Sequence, residues 1–138
     1  MNKPAPVPDD VSRHYWEGAR QGALLLQRCT ACRFYLHPPG VACPRCLSES
    51  LDVVPACGWG TIYAFTVARQ AFDPAFADDL PYVLALVELD DQPGLRMVTN
   101  IIDSELSEIT AGAPVEATFE QRGEWSIPQF RLAPRPAR

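Results

Sequence analysis

At 138 residues, with 47% apolar and 21% charged side chains, the chain has the length and composition of one globular domain, or of two small ones sharing an interface. Its net charge of −5 is unevenly placed: residues 1–58 hold six basic and five acidic side chains, residues 59–138 hold six and twelve, and Lys3 is the only lysine. There is no basic stripe to neutralise phosphates, which argues against nucleic acid as the partner, and no apolar run approaches the ~20 residues that span a bilayer. Residues 1–6 carry no apolar segment of the signal-peptide kind, so the expected location is the cytoplasm. In that reducing compartment, closely spaced cysteines mean metal or redox chemistry more often than disulfides.

Pro4, Pro6 and Pro8 make residues 1–8 an extended tail, expected to be mobile. Asp9 or Asp10 is placed to cap a helix that runs to about Gln21 and ends at Gly22. Val11, Tyr15, Trp16 and Ala19 fall at helical spacing and form its apolar stripe. Such a stripe usually packs into a core. On a short helix ahead of a cysteine-rich segment it is also suited to a partner or a ligand groove, with Tyr15 and Trp16 as the contact candidates.

Residues 24–28 form a strand leading into Cys29-Thr30-Ala31-Cys32; residues 34–37 lead out, and Pro38-Pro39-Gly40 turns the chain toward Cys43-Pro44-Arg45-Cys46. Each Cys-x-x-Cys hook aims two sulfurs at one point, and two facing hooks supply four thiolates at the corners of a tetrahedron. All four positions are then filled by protein, so the metal holds structure and leaves no place for water or substrate. Zn²⁺ is favoured, although four thiolates also suit a single iron. Hooks of this kind often carry glycine just after the second cysteine, where φ is positive; here Arg33 and Leu47 stand there. Strand–hook–strand–hook is the order of a rubredoxin-like zinc ribbon, which residues 51–55 then leave.

From residue 59 the pattern changes to short strands with turn punctuation, over 60–68, 82–89, 95–102, 115–120 and 127–132. Val83, Ala85, Val87 and Leu89 share one face of the second, Val115, Ala117 and Phe119 one face of the fourth, and Asp90-Asp91-Gln92-Pro93-Gly94 turns a hairpin. Residues 104–109 are expected to form a short helix capped by Asp103 or Ser104, with Glu108 closing a capping box. Five strands with a helix between the third and fourth is the layout of an OB-fold barrel. The expected fold is therefore mainly β: tail and helix over 1–23, ribbon over 24–57, barrel over 58–134, and a loose end at 135–138.

Catalytic equipment is sparse, and no catalytic residue is assigned. His14 and His37 have no nucleophile placed beside them by sequence and suit a surface or interface role. Cys57, next to Gly58, lacks a neighbouring cation to lower its pKa and fits an inert position in a linking turn. Asp78-Asp79 and Asp90-Asp91 decorate loops. Phe72 and Phe76 lie in a loop between strands and must either fold back onto the barrel or meet a partner or an acyl chain.

These residues in this order resemble a known family, the acyl-CoA-associated zinc-ribbon and OB-fold proteins catalogued as domain of unknown function 35. The resemblance covers residues 13–133 and rests on several stretches in sequence: Tyr15-Trp16-Glu17-Gly18, Leu26-Gln27-Arg28-Cys29, His37-Pro38-Pro39, Cys43-Pro44-Arg45-Cys46, residues 60–67, residues 81–89 and Asn100. The glycines missing after the hooks, and Gly40 where the family often has arginine, are departures. The resemblance implies a non-catalytic accessory subunit that accompanies a thiolase-like protein of the lipid-transfer type, or a hydratase-like subunit. Its chemistry would be that of acyl-CoA in lipid, sterol or polyketide metabolism. Acyl-CoA is then a candidate ligand. Arg20, Arg28, Arg33 and Arg45 are the available counter-charges for its anionic end, and Tyr15, Trp16, Phe72 and Phe76 are the candidate apolar contacts. Three other readings are a module for single-stranded nucleic acid, an iron-bearing electron carrier, and an independent thioester-active enzyme using Cys57.

Overall fold

Ten residues of strand, Trp59–Ala68 (β4), open a five-stranded barrel in the computed structural model, which describes residues 3–134. Tyr82–Leu89 (β5), Arg96–Ile101 (β6), Pro114–Arg122 (β7) and Trp125–Leu132 (β8) complete it in the closed order β4-β5-β6-β8-β7. All neighbours are antiparallel except β6 and β8, which meet in parallel at Ile101 and Phe130. A bulge at Ile62–Ala64 bends β4 so that it pairs with both β5 and β7. The period-two pattern of β5 is what the core uses: Val83, Ala85, Val87 and Leu89 are all buried. On β7 Val115 is buried and Ala117 packs against the core, whereas Phe119 is half-buried at the barrel's end. Gly60 lies so close to β5 that a Cβ there would meet Glu88 O at 2.6 Å. The barrel is an OB-fold.

Before it come Arg13–Arg20 (α1) and a small antiparallel sheet of Leu25–Cys29 (β1), Tyr35–Leu36 (β2) and Leu51–Pro55 (β3), with β1 in the centre. The helix starts later than expected. Asp9 does accept from the backbone N–H groups of Val11 and Ser12, at 3.1 and 2.8 Å, but that turn precedes the helix, whose N-cap is Ser12. Gly22, at φ 77°, ends it as anticipated. Gly18 lets α1 lie directly on β1, since a Cβ there would meet the Leu25 side chain at 2.6 Å. Tyr15, Leu24 and Leu26 join the barrel's buried residues in one continuous cluster, so helix, ribbon strand and barrel share a core.

The hairpin between β5 and β6 latches the ribbon to the barrel. Gln92 accepts from Tyr35 N at 2.9 Å and donates to Tyr35 O at 3.1 Å, copying a strand pairing with one side chain. Buried Gln27 does the same for Gly40, at 2.8 Å in each direction.

Three expectations need correction or fall outside the description. Residues 104–109 form no capped helix, only a 3-10 turn at Leu106–Glu108. Ser104 Oγ is engaged elsewhere, donating to Ile102 O and accepting from Leu132 N, and Asp103 stands at φ 50°. The tail is tied down where described: Lys3 lies 2.6 Å from Asp79 and 3.2 Å from Glu120, and Arg122 donates to Pro4 O. The loose end expected at 135–138 lies outside the described residues. A further 3-10 segment, Pro74–Asp79, was not anticipated; Asp73 accepts from Ala75 N at its start.

Candidate metal centre

β1 delivers Cys29 to the first hook, and a repeated backbone pattern shapes both hooks. In the first, Arg33 N donates to Cys29 O and Cys29 N to Phe34 O; in the second, Leu47 N donates to Cys43 O and Cys43 N to Ser48 O. Both turns need one residue in the left-handed region, and both use a bulky one: Arg33 and Leu47 each have φ 67°. Backbone N–H groups also point at sulfur, from Cys32 to Cys29 Sγ and from Arg45 to Cys43 Sγ, each at 3.4 Å.

The result is a cluster in which the Sγ atoms of Cys29, Cys32, Cys43 and Cys46 all lie within 4.8 Å of one another. Cys29–Cys46 and Cys32–Cys43 are each separated by 3.5 Å. Cys29 and Cys43 are buried, Cys32 is half-buried and Cys46 is exposed. The N–H of Cys32 holds the Cys29 thiol down to about 6, toward the thiolate form that a metal takes. Four convergent sulfurs with amides aimed at them, and no other donor in the group, fit a closed structural metal site of the zinc-ribbon kind. Cys29, Cys32, Cys43 and Cys46 would hold the ion, and its chemistry there is cross-linking alone.

Arg28, Arg33 and Arg45 gather about the hooks. Arg28 stacks over Tyr35 at 4.5 Å and donates to Arg33 O; Arg45 sits over Phe34 at 5.8 Å. Arg33 and Arg45 are exposed and in no ion pair among the described residues. Arg20 pairs with Glu17 at 2.6 Å and lies over Trp125. Tyr15 is buried, packed edge-on to Trp16, which is half-buried. Phe72 is 92% exposed. Phe76 has folded back beside Tyr82, with Lys3 and Arg122 flanking its ring at 5.9 and 5.7 Å.

The histidines are less exposed than a surface role requires. His37 stacks on Tyr15 at 5.2 Å, and burial, followed by the neighbouring His14, lowers its pKa to about 4. Burial also lowers the His14 pKa, and the buried atoms His37 Nδ1 and His14 Nε2 have no hydrogen-bond partner among the described residues. Sequence spacing gave no sign of this contact, since the two rings are brought together from the helix and the ribbon. The exposed Cys57 thiol donates to Asp91 at 3.2 Å. Desolvation, then the carboxylate, raises its pKa, the opposite of what a nucleophile needs. No helix among the described residues is long and apolar enough to cross a membrane.

The profile of the rubredoxin-like zinc ribbon domain of ChsH2 matches residues 16–52, and that of the C-terminal OB-fold domain of ChsH2 matches residues 53–120. A probable enoyl-CoA hydratase alpha subunit from Thermomonospora curvata is 40% identical over 132 residues, which is 95% of this chain and 40% of that relative. A DUF35 domain-containing scaffold protein from Methanothermobacter thermautotrophicus is 32% identical over 95 residues, 68% of this chain and 69% of that relative. Among solved structures, a chain of the Ltp2-ChsH2(DUF35) aldolase superposes with a TM-score of 0.83 at 39% identity, over 93% of this chain and 98% of that one. The chain thus spans two-fifths of the hydratase relative's length but nearly all of the chain from the aldolase.

Proposed function

The chain belongs to the DUF35 family in its ChsH2-type form, a rubredoxin-like zinc ribbon followed by an OB-fold barrel, and from that premise we propose that it is a non-catalytic accessory subunit of an acyl-CoA-processing complex. One observation carries this reading: the similarity to the ChsH2 chain of the Ltp2-ChsH2 aldolase extends over 98% of that chain. The partner is then a thiolase-like protein of the lipid-transfer type, or a hydratase-like subunit, and the complex works on fatty, sterol or polyketide thioesters in the cytoplasm. The reacting residues belong to the partner. In support, this chain's own titratable groups are poorly placed for chemistry. His37 is held neutral against Tyr15, the Cys57 thiol is pushed away from ionisation, and the four-sulfur cluster leaves no open coordination position. The hydratase relative is more than twice as long as the stretch it shares with this chain, which leaves room for its named activity outside that stretch.

Zn²⁺ is the metal in this reading, held by Cys29, Cys32, Cys43 and Cys46, with the ribbon over 24–57 and the barrel over 58–134 as its two working units. Arg33 and Arg45, exposed beside the hooks and in no ion pair among the described residues, face the anionic end of CoA, whereas Arg20 is held by Glu17 and Arg28 by Arg33 O and the Tyr35 ring. Trp16, beside Tyr15, and Phe72 face the partner, aromatic side chains being enriched at the centres of interfaces and the Phe72 ring standing free to be covered. Isolation of the chain from its native source under mild conditions, with identification of co-purifying protein and metal, tests the reading. A thiolase-like or hydratase-like protein in fixed ratio, with one zinc per chain, is the expected result. A chain that comes out alone, or that turns over acyl-CoA by itself, would overturn it.

A further inference from the structure

The barrel is incompletely filled at the end where β5 begins and β6 finishes. A cavity of about 800 Å³ opens there, within the roughly 300–1,000 Å³ typical of small-molecule sites. Phe76, Ile101, Ile102, Ile109, Phe119 and Ile127 supply apolar wall from separate segments of the chain, and Ile101 and Ile109 are buried members of the core. Its floor therefore touches the barrel's core, while Leu84 and Leu106 leave its mouth open to solvent.

Its charged lining decides what it can hold. Two cations, Lys3 and Arg122, and three carboxylates, Asp79, Asp103 and Glu120, line it. Both cations are already engaged: Lys3 with Asp79 at 2.6 Å and Glu120 at 3.2 Å, Arg122 with Glu120 at 3.1 Å. Together they clasp the Phe76 ring at the rim. Arg122 keeps one buried donor, Nε, without a partner among the described residues, but the carboxylates outnumber the cations, and the surplus repels a phosphate or carboxylate. The lining mixes these isoleucines and phenylalanines with Asn100, Thr118 and Gln129, and with acid in excess over base it suits an uncharged body with an apolar part better than an anion.

We propose that this cavity seats the apolar acyl part of a thioester whose CoA portion stays outside it. The assignment rests on the reading of the chain as one that handles acyl-CoA, and it names the place and the part of the ligand that the barrel takes. The Lys3–Phe76–Arg122 clasp is part of the lining, so the N-terminal tail, the 74–79 segment and β7 meet at the cavity.

The sequence provides its own reporters. The chain has five isoleucines, and Ile101, Ile102, Ile109 and Ile127 line the cavity while Ile62 lies in the core outside the lining. The full chain, labelled at isoleucine δ1-methyl groups and backbone amides, is titrated by NMR with decanoyl-CoA, with CoA and with decanoate. Decanoyl-CoA should shift the four lining methyls and spare Ile62, CoA should leave all five unmoved, and decanoate should bind at least tenfold more weakly. Leu106→Trp, at the partly exposed rim residue, should weaken decanoyl-CoA binding at least tenfold while the Ile62 signal stays in place, showing that the chain is folded. Silent methyls with moving amides at residues 28–47 would place the thioester on the ribbon, overturning the cavity assignment and leaving the accessory reading intact. Decanoate binding as tightly as decanoyl-CoA would overturn the thioester assignment. A protein indifferent to decanoyl-CoA throughout would overturn both the cavity and the acyl-CoA part of the proposed function.

Discussion

The ribbon and the barrel are consecutive stretches of one chain that cohere by different means. In the barrel, Ile62, Val87, Val115 and Phe130 are buried to 1% exposure or less and pack against one another. In the ribbon, Val41, Leu47 and Val53 are exposed, and between residues 30 and 50 only Leu36 and Cys43 are buried. The barrel excludes water from apolar surface, whereas the hooks converge on sulfur. The difference teaches that damage to one should not propagate evenly to the other. The seam at Leu24, Leu26 and Tyr15 belongs to the barrel's cluster, so only the part of the ribbon beyond it depends on the metal.

The largest effect expected is on the sulfur side. Cys43→Ser removes a buried ligand from a site of a kind whose apparent binding free energy is on the order of 10–16 kcal/mol. Metal content should drop to near zero, and amide signals of residues 30–50 should collapse toward random-coil positions while those of the barrel strands persist. Collapse of both together would show that the two regions do not divide as described. Next is the barrel's centre: Phe130→Ala, at 0% exposure, should cost about 3–5 kcal/mol. A urea titration of the metal-loaded protein reads this, and a loss below about 1 kcal/mol would mean that the site collapses around the smaller residue.

What could be foreseen from the sequence follows the same division. The hooks were visible because cysteine spacing encodes the site locally, and β5 because its alternation is strict. The positive φ at Arg33 and Leu47 could likewise be anticipated from position alone. The 104–109 segment misled because Ser104 and Glu108 only approximate a capping box, standing four residues apart where the box needs three, and the Ser104 hydroxyl is taken by Ile102 O and Leu132 N, a partner 28 residues away. The opposite happened at 74–79, where Asp73 followed by Pro74 was a local start signal passed over. The cavity was invisible, since its walls come from segments with no common local pattern, and so was the stacking of His37 on Tyr15.

That stacking gives the third test, because it joins helix and ribbon. Burial, then His14, sets the His37 pKa to about 4, against about 6.5 in an unfolded chain. As pH falls below 6.5 the unfolded state takes up the proton first, so stability present above that pH is lost progressively toward 4. With partial solvent access this amounts to about 1–2 kcal/mol between pH 7 and pH 5. His37→Gln should flatten that slope in urea midpoints measured at the two pH values. Acid loss of metal is common to both proteins, so parallel slopes would remove His37 as the cause.

The smallest effect sharpens the comparison most. Leu47 is 78% exposed and sits at φ 67°, where a side chain costs roughly 1–2 kcal/mol. It has little packing to lose, and its N–H, which closes the hook onto Cys43 O, is kept by glycine. Glycine gives back roughly 0.5–1 kcal/mol through the freer unfolded chain. Leu47→Gly should therefore favour the folded hook by about 0.5–1 kcal/mol net, a two- to fivefold tighter hold on metal in a chelator competition. Leu47→Ala, which keeps the Cβ and hence the strain, should change almost nothing. A hook that gains from glycine and is indifferent to alanine is limited by backbone geometry. If alanine and glycine behave alike, Leu47 contributes packing after all, and the ribbon coheres more like the barrel than its exposed apolar residues indicate.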